Sequence, residues 1–311
     1  MKILLLGASG FLGRNVILGA PDDWQIVAVY RSDTTFPEFA AGVANVTALK
    51  FSEDSDQFRE DLKRATQGEV DSCIIVWGNS DIARSVADPL YDLHANVTPV
   101  LSLLEAIDMG RIVFMSSGTV YLGNTGVVDE DAPAYPTVPY GVAKLATELY
   151  IRSHVEHRKP ETSFVIARFF GAFGPYEPAR KIYTKLVEAF HVRKERTFTV
   201  RGDGSNLIDA MAVADAASGL IRMATTPVDS VTVNFAACDP CSINDLIHRT
   251  AATLGVPNVE IIHEGATMEP ISFIADAGRM RELFDFQPKV SFEDGILALR
   301  DHLDARGSSK S

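Results

Sequence analysis

Tyr140 and Lys144 stand four positions apart, and Ser117 precedes Tyr140 by 23 positions. On a helix that spacing places the phenol and the ammonium on one face. A free tyrosine ionises near a pH of about 10 and is a poor base at neutrality. An ammonium held beside it favours the phenolate and brings it toward a working range. Ser117 closes the apolar run 112–115 in the string Met115-Ser116-Ser117-Gly118-Thr119-Val120-Tyr121. A hydroxyl at the carboxyl end of a strand can bond the same substrate oxygen. The chemistry on offer is proton transfer at a hydroxyl or carbonyl oxygen. Tyr-x-x-x-Lys alone is frequent on amphipathic helices, so its meaning depends on what accompanies it.

Its companion is Gly7-Ala8-Ser9-Gly10-Phe11-Leu12-Gly13, which follows the apolar run 3–6 and precedes a helix-like stretch at 14–18. In G-x-x-G-x-x-G the first glycine permits the tight turn, the second lets backbone approach a pyrophosphate, and the third lets helix and sheet pack closely. The helix start offers free N–H groups and partial positive charge to phosphates. Gly7, Ser9, Gly10, Phe11, Leu12 and Gly13 are therefore candidate cofactor contacts. At the end of the second strand an acidic residue normally takes the ribose 2′-hydroxyl of NAD, and an arginine accommodates the NADP phosphate. Here the chain reads Ala28-Val29-Tyr30-Arg31-Ser32. Arg31 makes NADP the expected cofactor and NAD the alternative.

Those groups need a frame. Runs 3–6, 26–30, 46–49, 73–77 and 112–115 are short, apolar and bounded by polar residues or glycine, as buried parallel strands are. Helical patterns at 58–65 and 90–107 lie between them, a helix is expected over 140–157, and 163–168 reads as a further strand. From residue 169 the pattern turns irregular, with turns at Gly174-Pro175 and Gly202-Asp203-Gly204 and helical stretches at 182–192 and 243–254. The expected fold is α/β, a Rossmann doubly wound parallel sheet with a smaller C-terminal substrate-binding lobe. Residues 1–168 form the dinucleotide-binding domain. Residues 169–306 form most of the second lobe, with segments returning to the sheet, and 307–311 form a disordered tail.

The bulk properties agree with a soluble globular protein. The 311 residues are 46% hydrophobic and 23% charged, close to the globular average. A net charge of −12 repels phosphate backbones, and no basic patch offsets it, so nucleic acid is not an expected partner. Three cysteines, Cys73, Cys238 and Cys241, cannot staple a chain of this size and suit a reducing cytoplasm. Cys238 and Cys241 lack the second pair or histidines a metal site requires, so no metal is expected. The glycines and Arg14 argue against a signal peptide, and no run of 18 or more apolar residues points to a membrane.

With GASGFLG, MSSGTVY and YGVAK in order, the sequence resembles the extended short-chain dehydrogenase/reductase superfamily of nucleotide-sugar epimerases, dehydratases and ketoreductases. The resemblance runs over nearly the whole chain. Asp88-Pro89 and Asn96-Val97 are similar to the family's cofactor-contacting helix, which adds Asn96, Tyr140 and Lys144 to the cofactor contacts. Arg168-Phe169-Phe170 with Gly174-Pro175 resembles its R-x-F-N-x-x-G-P segment, and Gly202-Asp203-Gly204 with Asp209 and Asp215 resembles its G-D-G and R-D-x-x-x-V-x-D segments. The resemblance implies hydride transfer at C4 of a nucleoside-diphosphate sugar, with Tyr140 as proton donor or acceptor, Lys144 lowering its pKa and Ser117 positioning the oxygen.

A 4-ketoreductase fits Arg31 best. A 4-epimerase with retained NAD is the alternative, and a non-catalytic dinucleotide-binding regulator is the reading from another class. Three departures limit the transfer: Gly171 replaces the asparagine of R-x-F-N, Ile208 the arginine before Asp209, and Gly118-Thr119 the acid pair of the 4,6-dehydratases. Dehydration is therefore disfavoured, and neither nucleotide nor sugar carries over. By analogy with the family, a homodimer using helices 90–107 and 140–157 is expected.

Overall fold

The structure is a computed structural model that describes residues 1–52, 54–265 and 273–308. Its first half runs β1 (Lys2–Leu6), α1 (Phe11–Gly19), β2 (Gln25–Tyr30), α2 (Phe36–Ala41), β3 (Val46–Lys50), α3 (Ser55–Thr66), β4 (Glu69–Ile75), α4 (Ile82–Ala87), α5 (Pro89–Asn96), α6 (Thr98–Leu104) and β5 (Asp108–Ser117). Then follow β6 (Gly126–Val128), α7 (Pro139–Arg158), β7 (Ser163–Phe169), β8 (Ala172–Phe173), α8 (Ile182–Val187), β9 (Thr197–Arg201), β10 (Leu207–Ile208), β11 (Met211–Ala212), α9 (Val213–Thr225) and β12 (Val231–Phe235). The remainder comprises β13 (Cys241–Ser242), α10 (Ile243–Thr253), β14 (Glu260–Glu264), β15 (Phe273–Ala275), α11 (Gly278–Phe284) and α12 (Phe292–Ser308).

The central sheet has seven strands in the order β12-β7-β5-β4-β1-β2-β3, all parallel. Continuous apolar runs make its strands because both faces are covered. Ile3 and Leu5 join a core containing Val16, Leu220, Met223 and Phe284, while Leu4 and Leu6 join one containing Phe58, Leu62, Leu103 and Ile151. Strand residues alternate between faces, so each face must be apolar. After β3 the chain crosses to the other side of β1, and that reversal opens a crevice between the carboxyl ends of β1 and β4. A separate core of Phe173, Tyr183, Leu186, Phe190, Leu246 and Ile296 holds α8, α10 and α12 together.

Several local expectations change. The helix expected over 90–107 is two helices, α5 and α6, broken at Val97. Pro99 explains the break, because a proline has no N–H to donate and its ring crowds the carbonyl four residues back. Trp77 lies just past β4 rather than in it. Gly307 and Ser308 continue α12 instead of belonging to a tail, and residues 309–311 lie outside the described residues. Helices α9 and α12 have no counterpart in the sequence reading. Among the described residues no helix is long and apolar enough to cross a membrane.

Candidate active site

β5 carries Ser117 to the carboxyl edge of the sheet, where one turn of 3-10 helix, Gly118–Tyr121, begins on it. The Ser117 Oγ accepts from the Thr119 N–H at 3.2 Å and from the Thr119 Oγ1 at 3.0 Å. α7 starts on Pro139, a residue pre-set for the first helical turn. The free Tyr140 N–H donates to Ser85 Oγ at 3.2 Å. Gly141 allows the close approach of α7 to that turn, since a Cβ there would lie 2.7 Å from Pro136 and 3.0 Å from the Thr119 carbonyl oxygen. The Ser117 side chain stands close enough to the Tyr140 hydroxyl to favour its ionised form. Lys144 donates from Nζ to the Met115 carbonyl at 3.0 Å and lies 5.9 Å from the centre of the Tyr140 ring.

All three side chains are buried, and burial sets their electrostatics. Burial pushes the Tyr140 phenol up to about 12, with Asp92 adding to the rise while Ser117 and Arg180 oppose it. Burial pushes Lys144 down to about 8, against the pull of Asp92 and Glu148. Arg180 was not singled out in the sequence. It reaches the site from the segment between β8 and α8, donating from Nη2 to Ser80 Oγ at 3.0 Å across 100 residues of chain.

The glycine loop meets the geometry its spacing implies. Gly7 has φ +86°, and a Cβ there would lie 2.8 Å from the Trp77 backbone nitrogen. A Cβ at Gly13 would lie 2.3 Å from the Gly7 carbonyl oxygen, so this glycine seats α1 on the sheet. A Cβ at Gly10 would lie 3.2 Å from the Gly7 carbonyl oxygen, a tight contact with main chain. The first ladder bond of α1 runs from the Arg14 N–H to the Gly10 carbonyl, so the N–H groups of Phe11, Leu12 and Gly13 precede it and can serve a phosphate. The Ser9 carbonyl accepts from Arg14 Nε at 3.1 Å.

The carboxylate missing from 28–32 is present just beyond. Asp33 pairs with Arg14 Nη2 at 2.8 Å. Burial raises its carboxyl, but the hydrogen bonds from Arg14 and Thr35 outweigh that and hold it below the usual range. Arg14 is pinned in turn over the Phe39 ring at 4.5 Å. Arg31 is exposed, with its guanidinium 5.8 Å from the Trp77 ring centre. It rims a pocket of 350 Å³ whose walls include Phe51, Phe58, Trp77, Ala95 and Thr98. This pocket lies past β2, β3 and β4 on the crevice side, where the base of a dinucleotide held by the loop can reach.

Asn96 is fully buried and donates from Nδ2 to the Asp92 carbonyl at 3.1 Å and to Asp92 Oδ1 at 2.9 Å. Its Oδ1 has no hydrogen-bond partner among the described residues. A Cβ at Gly78 would lie 2.1 Å from that oxygen and 3.6 Å from Lys144 Nζ. The free N–H groups at the start of α1, this unpartnered buried oxygen and the apolar pocket are groups that fit a dinucleotide.

Other residues in the family-like segments act as pins. The buried Glu148 and Arg168 pair at 2.9 Å, and Ser116 Oγ donates to Glu148. Arg168 also donates to the Tyr121 hydroxyl at 2.9 Å and the Glu130 carbonyl at 3.1 Å. Asp209 accepts from the Cys238 N–H at 3.2 Å, and Asp215 from the Lys289 and Val290 N–H groups at 2.9 and 2.8 Å. Gly171 has φ +151° and would place a Cβ 3.1 Å from that of Ala210, so an asparagine there would be strained.

Comparison with known proteins bears on this arrangement. The chain is 24% identical over 311 residues to the UDP-glucose 4-epimerase of Mycolicibacterium smegmatis, covering 95% of this chain and 96% of that protein. Its fold matches MoeE5 in complex with UDP-glucose and NAD, with TM-score 0.84, 23% identity and 98% and 99% of the two chains covered. It also matches the UDP-glucuronic acid 4-epimerase of Bacillus cereus in complex with NAD, with TM-score 0.80, 21% identity and 98% and 97% covered. The model of the NAD dependent epimerase/dehydratase family matches residues 3–236. The extended short-chain dehydrogenase resemblance therefore holds, and the chain belongs to the NAD-dependent epimerase/dehydratase family of enzymes.

Proposed function

We propose that this enzyme is a nucleoside-diphosphate-sugar 4-epimerase that retains NAD, with Ser117, Tyr140 and Lys144 as its catalytic residues. The observation that carries the reading is the burial of Ser117, Tyr140 and Lys144 together, with Ser117 beside the Tyr140 hydroxyl and Lys144 one turn further along the same buried helix face. Bound NAD supplies the chemistry of taking a hydride from C4 and returning it. Tyr140 takes the proton of the C4 hydroxyl at its phenol oxygen and gives it back when the keto sugar has presented its other face. Ser117 Oγ holds that same oxygen in line. Burial alone favours the protonated phenol, so the Lys144 ammonium is needed to offset it.

The 4-ketoreductase expectation rested on Arg31. One relative similar over nearly the full length is a UDP-glucose 4-epimerase. Asp33 lies three residues beyond β2, next to Ser9 of the loop, and its carboxylate disfavours a second phosphate there. In this reading Arg31 serves the base pocket through its stack on Trp77, and NAD rather than NADP is the cofactor. Gly171 and Ile208 keep the sugar and nucleotide from being carried over from relatives. Mass spectrometry of nucleotide released from the denatured protein tests the choice: NAD is expected, and Arg31→Ala is expected to weaken NAD and NADP binding alike. Recovery of NADP, or an NADP preference erased by Arg31→Ala, restores the reductase.

The homodimer is part of the same proposal. Leu90 and Leu93 on α5 and Val142, Leu149 and Tyr150 on α7 are exposed by between 45% and 63%, and these two helices pack side by side. A second copy presenting the same pair of helices would cover this stripe in an isologous contact. Sedimentation at micromolar concentration is expected to give twice the 33.8 kDa chain mass; a monomer mass removes the dimer.

A further inference from the structure

Asp92 is fully buried on α5, one helical turn before Asn96, and no step of the mechanism above uses it. Its Oδ1 accepts from Asn79 Nδ2 at 2.8 Å and from Asn96 Nδ2 at 2.9 Å. Its Oδ2 has no hydrogen-bond partner, and no lysine or arginine pairs with it within salt-bridge distance, among the described residues. Leaving a carboxylate in a core without a counter-charge is expensive. The cation that can answer it is Lys144. The Asn96 Oδ1, held by the two bonds its Nδ2 gives Asp92, and the Lys144 Nζ both face the space over Gly78.

We propose that Asp92 is a positioning residue that serves Lys144 in two ways, as the buried counter-charge of its ammonium and as the anchor that aims the Asn96 carbonyl at it. This deepens the reading of Lys144 given above and rests on it. The charged and titratable neighbours single out Asp92. On α7, Glu148 also attracts Lys144, but its own charge is matched by Arg168 at 2.9 Å. On α4, Arg84 turns away onto the Tyr91 ring, 3.5 Å from its centre, and Ser85 serves the Tyr140 backbone. On α5 itself His94 contacts Thr98. From β5 come the Met115 carbonyl, bound to Lys144, the Phe114 ring, whose centre lies 4.9 Å from Lys144 Nζ, and Ser117, none of them a counter-charge. Across the cleft Arg180 faces Tyr140 and Asp81. Among the charges acting on Lys144, Asp92 is first in strength, and burial works against both.

An ammonium that burial already brings down to about 8 has little margin at neutral pH. Without Asp92 it would lose its proton in the working range and cease to stabilise the Tyr140 phenolate. An opposite charge at close range typically moves a titration by about 1–3 units.

The test is a ¹³C-lysine NMR titration of the cofactor-free protein, with the Lys144 signal assigned by its disappearance in Lys144→Met. Asp92→Asn is expected to lower the Lys144 midpoint by about one unit or more, and Asp92→Glu, which keeps the charge, to lower it far less. The pH at which turnover loses its ammonium-dependent limb should move by the same amount. If Asp92→Asn gives no cooperative melting transition, Asp92→Ser takes its place in the titration. A Lys144 midpoint unchanged in the neutral variant overturns the proposal, even where turnover falls, because a purely structural role would give that result. The titration needs no substrate, so failure of the epimerase reading leaves it decisive.

Discussion

Tyr140→Phe is expected to lower turnover by about 10²–10⁴-fold while leaving cofactor affinity within about twofold of the parent. The substitution removes one oxygen and little else. The ring stays in its buried position, the backbone N–H keeps its bond to Ser85 Oγ, and Ser117 keeps its two contacts with Thr119. What disappears is the atom that, in the proposed reaction, exchanges a proton with the sugar oxygen. The retained serine and lysine cannot replace it, because Ser117 has no base behind it and Lys144 is engaged with the Met115 carbonyl. Steady-state turnover and cofactor titration on the same preparation read the two halves. Turnover within tenfold of the parent would take Tyr140 out of the mechanism, and a parallel loss of cofactor affinity would make its role one of binding.

The second large effect concerns stability. Glu148→Ala is expected to cost about 3–5 kcal/mol, because it leaves a guanidinium buried without its counter-ion. Arg168 is only 6% exposed, and after the change it would keep just the Tyr121 hydroxyl and the Glu130 carbonyl. Ser116 would lose its acceptor as well. The pair joins α7, which carries Tyr140 and Lys144, to β7 in the central sheet, between β12 and β5, so its loss loosens the site's support rather than the chemistry. Urea unfolding near pH 7 measures this as a lower midpoint with an unchanged slope. A cost below about 1 kcal/mol would mean that the pair is not the tie between helix and sheet. Replacing both partners with apolar residues should recover much of the loss, since the penalty comes from the orphaned charge and not from the absence of the pair.

Much of the site was legible before the structure. The apolar runs predicted β1 to β5 to within a few residues, because a strand covered on both faces must be apolar at every position. The glycine spacing predicted which backbone atoms approach each other, since a Cβ at Gly7 or Gly13 collides with main chain and no other residue type could stand there. The i, i+4 spacing placed Tyr140 and Lys144 together because a helix repeats every 3.6 residues. Pro99 also held the information that α5 and α6 are separate, although the apolar periodicity across it suggested one helix.

Tertiary structure alone decided the rest. Asp33 was not singled out in the sequence, and the loop after β2 brings it to Arg14. Arg180 reaches Ser80 across 100 residues, and β12 returns from the second half to pair with β7. Asp92 had the same pattern as any helix acid, and only the packing of α5 against α7 and the loop after β4 buried it without a cation of its own. These contacts depend on how elements meet rather than on the repeat within any one of them. Local periodicity records which face of an element is apolar, but not which distant side chain that face will meet.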